Sequence, residues 1–158
     1  MKSYSEAELT SLDIDWFGVD KSGRLAQFAS SSTGLVPRAV VEKKAENERL
    51  GEYFLESLER NSCTVTTGWK QLISLPDDRS EARYLDSFVE WGELGFYSYD
   101  CVYRGSVEPG GPYFLVARPG IPRTIKSLPS WARSFVESVV FPFEFEDAVE
   151  IRTELLDL

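Results

Sequence analysis

Two apolar runs near the start of the chain, Ile14-Asp15-Trp16-Phe17-Gly18-Val19 and Leu25-Ala26-Gln27-Phe28, flank the polar tetrapeptide Asp20-Lys21-Ser22-Gly23. This pattern predicts a tight β-hairpin over residues 14–29. The Asp20 side chain can accept from backbone N–H groups ahead of it, and Gly23 can adopt the positive φ that a type I turn with a bulge requires. Upstream, Ser5 followed three residues later by Glu8 is a capping box, which starts a short helix. The small polar loop Ser30–Gly34 ends at Pro37, and from 38 to 60 the period becomes helical. There Val40, Leu50, Phe54, Leu55 and Leu58 share one face of a helical wheel, with Lys43 and Asn47 intruding. The run Glu42–Arg49 reads as a solvated helix surface of mixed charge.

Residues 61–79 fit either class: Thr64–Thr67 favour a strand, while Trp69, Leu72, Ile73 and Leu75 suit strand or helix. Pro76-Asp77-Asp78 then opens a helix over 80–92, with Asp78 and Glu81 as a second capping box. Its apolar spacing runs through Ala82, Leu85, Phe88 and Val89 to Gly92 as the stop. A second hairpin is predicted from Phe96–Tyr103 and Tyr113–Arg118, bridged by 104–111 and ended by the prolines at 119 and 122. Ser127 as cap and Pro129 in the first turn predict a last helix, in which Trp131, Phe135 and Val139 recur every four residues. Alternation in Phe143–Glu146 and Val149–Thr153 predicts a C-terminal strand. The sum is one α+β domain over 1–158, an antiparallel sheet of two hairpins and a C-terminal strand packed against two or three helices. Trp16, Phe17, Val19, Phe28, Leu50, Phe54, Leu58, Leu85, Phe88, Tyr97, Phe114 and Val116 are its core candidates.

Composition narrows the function classes. The formal charge of −9 argues against nucleic acid and against anionic membrane surfaces, both of which call for clustered Lys and Arg, and it suits a basic protein partner. Histidine is absent, which removes the side chain best suited to proton transfer near neutral pH together with Ser-His and Cys-His nucleophile pairs. Cys63 and Cys101 have no CxxC spacing, and Met1-Lys2-Ser3-Tyr4 leads into polar sequence rather than a secretory apolar region. Reduced thiols and a cytoplasmic location are the expectation. Aromatic residues reach 13%, enough for ring-rich packing to dominate a core of this size.

No motif assigns chemistry. Asp13, Asp15 and Asp20 gather around the first hairpin and Asp100 lies in the second, but no D-x-D-x-D-G calcium loop is formed, and caps and turn stabilisers are the reading. Ser30–Gly34 lacks the glycine spacing and lysine of a phosphate cradle. Asp100 beside Cys101 disfavours a thiolate, so that cysteine reads as packing. Hence no catalytic, cofactor-binding or metal-binding residue is assigned, and no cofactor is expected.

The combination Ile14–Asp20 with Gly23 and Phe28, Val36-Pro37, Gly95–Asp100, Tyr113–Pro119 and Leu128-Pro129 resembles a group of small uncharacterised bacterial proteins. In general type, small acidic α+β chains also resemble immunity proteins of bacterial toxin systems. Acidity, the absence of histidine and the absence of any catalytic constellation point to a non-catalytic binding protein, of the kind that neutralises a toxin by covering its active site. The alternative is a housekeeping or regulatory domain holding a small ligand in an aromatic-lined cleft. A third reading, an enzyme working through carboxylates, requires two of them converging in a pocket, at least one with a raised pKa.

Overall fold

Ser5 Oγ accepts from the Glu8 N–H, and a Glu8 carboxylate oxygen accepts from the Ser5 N–H, so the capping box forms at the start of α1 (Glu6–Ser11). The first hairpin follows as expected: β1 (Asp15–Val19) pairs antiparallel with β2 (Leu25–Ala29). Asp20 Oδ1 accepts from the N–H groups of Ser22 and Arg24, each at 2.9 Å, and Gly23 takes φ 84°. The structure is a computed structural model and describes residues 2–101 and 111–152.

The helical stretch expected over 38–60 divides into α2 (Arg38–Val41) and α3 (Lys44–Leu55), broken at Glu42–Lys43, where Lys43 leaves helical geometry. Because α3 ends at Leu55, the helical wheel no longer governs Leu58, which is 97% exposed rather than in the core. The open stretch 61–79 resolves into β3 (Cys63–Val65) and a 3-10 turn over Gly68–Gln71. Next comes α4 (Asp78–Glu93), capped by Asp77, whose Oδ1 accepts from Ser80 N–H, and not by Asp78. β4 (Tyr97–Cys101) and β5 (Tyr113–Pro119) pair antiparallel, with the register slipping between Ser98 and Tyr99. Of the bridge expected at 104–111, all but Gly111 lies outside the described residues. After a 3-10 turn at Ile125–Ser127, α5 (Ser130–Val136) begins two residues later than expected, with Pro129 as its cap residue; Ser127 Oγ donates to the Thr124 carbonyl instead. Among the described residues, which exclude Thr153, the C-terminal alternation produces a 3-10 turn at Phe145–Asp147 and the two-residue β6 (Glu150–Ile151).

The strands build one mixed sheet in the order β1-β2-β4-β5-β3, with β6 also on β5. The purely antiparallel sheet is corrected here: β2 and β4 run parallel, Ala26 opposite Tyr97 and Phe28 opposite Tyr99. A long crossover through α2, α3 and α4 separates them, which is what a parallel pair demands. β5 carries β3 on one half of its outer edge (Thr64 opposite Arg118) and β6 on the other (Tyr113 opposite Ile151). At the far edge, Val19 N–H donates to the Val139 carbonyl and Phe141 N–H to the Val19 carbonyl. The segment 139–151 thus bridges both outer edges, and the sheet is curled around it.

Alternation along the strands sorts the core. Trp16, Phe28 and Tyr99 share one face and stack in file, Trp16 to Phe28 at 4.1 Å and Phe28 to Tyr99 at 4.9 Å between ring centroids. Phe141 and Phe145 close this face, and Gly18 gives Phe141 room: a Cβ there would sit 2.7 Å from its ring. Phe17 points the other way, to Phe54, Trp91 and Phe96. Phe88, Phe114, Val116 and Trp69 form a second cluster beneath α4, with Leu85 half-buried at its margin. No described helix is long and apolar enough to cross a membrane.

Candidate functional site

A pocket of about 360 Å³ opens between the α1–β1 connection and α3. Leu12, Asp13, Ile14 and Asp15 form one wall; Asn47, Glu48, Gly51, Glu52 and Leu55 form the other, and Tyr4 closes an end. The α3 residues fall at i, i+1, i+4, i+5 and i+8, a single helix face. The facing wall is extended chain pinned to the end of β2: Ile14 N–H donates to Ser30 Oγ at 2.8 Å, and Ser30 N–H donates to the Ile14 carbonyl at 3.0 Å. Ile14 turns inward and is buried, which leaves Asp13 and Asp15 exposed on the opposite side.

Four of the ten lining side chains are carboxylates and none is basic. Lys44 stands beside the Tyr4 end, paired with Glu8 and 3.9 Å from Glu48 Oε1. Asp13, Asp15 and Glu52 have no cationic partner among the described residues. Asp13 Oδ1 accepts from Ser31 N–H at 2.8 Å, and Asp15 Oδ1 accepts from Gln27 Nε2 at 2.6 Å. Gln27 in turn accepts from Ser98 Oγ, so the Asp15 carboxylate heads a polar row across β2 and β4. The protein packed around the Asp15 carboxyl, and the Asp13 charge beside it, push its pKa up to about 6, with Gln27 working in the opposite direction. Asn47 is 2% exposed; its Nδ2 donates to Tyr4 Oη (3.0 Å) and to the Asp15 carbonyl (2.8 Å). Asn47 Oδ1 has no hydrogen-bond partner among the described residues.

The other acidic residues are structural. Asp20 holds the first turn, and its Oδ2 accepts from Phe145 N–H, tying the hairpin to the C-terminal segment. Asp100 is buried and fully engaged, accepting from Ser31 Oγ and Tyr84 Oη at 2.6 Å each and from Cys101 N–H. These bonds fix a loop in which Ser31 and Ser32 both hold left-handed φ values, 50° and 59°. Burial raises the Asp100 carboxyl above the usual range. Burial also pushes the Cys101 thiol up to about 11, and both cysteines are free. Among the described residues no three metal-ligating side chains converge.

No family model, curated protein or solved structure matches this chain.

Of the acidic residues singled out in the sequence, the structure brings only Asp13 and Asp15 together at a surface opening. It adds Glu48, Glu52 and Asn47, which helical periodicity places on a polar or intruding face without indicating what lies opposite. Trp16, Phe17, Tyr97 and Tyr99 are buried in the core and are not among the residues that line this pocket.

Proposed function

We propose that this chain is a non-catalytic acidic binding protein, of the neutralising or immunity type, that docks onto a basic protein partner through the face around Asp13, Asp15, Glu48 and Glu52. The carrying observation is the pocket itself: four carboxylates without a basic residue among them, flanked by Leu12 and Leu55, which are 46% and 42% exposed. Three of these carboxylates, Asp13, Asp15 and Glu52, have no cationic partner among the described residues, and negative charge beside exposed apolar surface matches a patch that has both positive and apolar groups. A net charge of −9 adds long-range attraction and a faster encounter with such a partner.

The test is capture of partners from native lysate on the wild-type chain and on an Asp13→Asn, Glu52→Gln variant, at low and at moderate salt. The expected result is one stoichiometric basic protein, held by the wild type, released by salt and absent from the variant. Equal capture by both chains, or none at either salt, would sink the proposal.

One observation favours a second reading, a carboxylate enzyme: the proton held by Asp15 up to a pKa of about 6, beside Asp13. It ranks behind binding because an acceptor-rich pocket suits a cation better than a transition state that develops negative charge. Hydrolysis of nitrophenyl glycosides with an optimum near pH 6, abolished in Asp15→Asn, would reverse that ranking.

A further inference from the structure

We draw no further inference here: the strongest candidate, the side-chain cluster in which Ser31 Oγ of the β2–α2 loop and Tyr84 Oη of α4 donate to the buried Asp100 of β4, carries nothing because these groups satisfy one another within the fold and no second observation there points to a ligand.

Discussion

Asp15 is held in the folded chain at a cost. Its pKa of about 6 lies above the ordinary aspartate value of 3.8, so the folded state binds its proton more tightly than the unfolded chain does. The corresponding stability is fully present below pH 4 and is lost as pH rises through 6. At neutral pH the ionised carboxylate therefore destabilises the fold, and Asp15→Asn, which keeps an oxygen to accept from Gln27, should stabilise it. Two pKa units correspond to under 3 kcal/mol, and because the residue is exposed toward the pocket the gain is reduced by solvent to about 1 kcal/mol. Urea melts of both chains at pH 4, 5, 6 and 7 check this: the curves should coincide at pH 4 and diverge by pH 7. Convergence at pH 7 would show that the carboxylate carries no strain. Glu8 works in the opposite sense and in a lower window, since its bond to Lys44 holds it down to about 2 and its contribution disappears only as pH falls from 4.5. At this scale the turn role of Asp20 was legible because its acceptor geometry is local. The role of Asp15 was not, because its pKa depends on Asp13, Gln27 and the packing of α3, none of which alternation in β1 reveals.

Helix α3 lines the pocket with one face and packs on the core with another, and a glycine marks the boundary. Gly51 lines the pocket, and a Cβ built there meets only the Phe17 ring, at 3.9 Å, an ordinary contact. Gly51→Ala should therefore raise stability by about 0.5–1 kcal/mol through helix propensity and a new apolar contact. Gly92 in α4 is the contrary case: a Cβ there lies 2.8 Å from Cys63 Cβ on β3 and 3.3 Å from Ala117 Cβ on β5. Gly92→Ala should lower stability by about 1–3 kcal/mol, because helix and sheet must separate to admit it. Thermal melts of the two variants, shifted in opposite directions, are the check. Gly92 reads in the sequence as a helix stop, yet α4 continues through Glu93; its reason is close packing against the sheet, a long-range fact. Strand identity was legible from alternation, but partner choice was not. The same apolar spacing in Ala26–Phe28 and Tyr97–Tyr99 serves a parallel or an antiparallel neighbour, and only the helical crossover between them decides.

At the level of the whole molecule, the segment 139–151 is what keeps the sheet curled. It hydrogen-bonds to Val19 at one outer edge and, through the Val149 carbonyl and β6, to Leu115 and β5 at the other. Between these anchors Phe145 is fully buried, in ring contact with Phe28, Tyr97, Tyr99, Phe141 and Phe143, and its N–H donates to Asp20. Removing that ring leaves a cavity at the centre of the closing strap, not at one end of it. Phe145→Ala should cost about 3–5 kcal/mol, and Phe143→Ala, at a half-buried position, markedly less. Lost packing alone would lower global stability without preferring any amide. A strap that holds both edges predicts more: in Phe145→Ala the amides of Val19 and Leu115, at opposite borders of the sheet, should lose hydrogen-exchange protection together. Loss at one border only would mean that the two edges are held independently and that the curl belongs to the strands themselves.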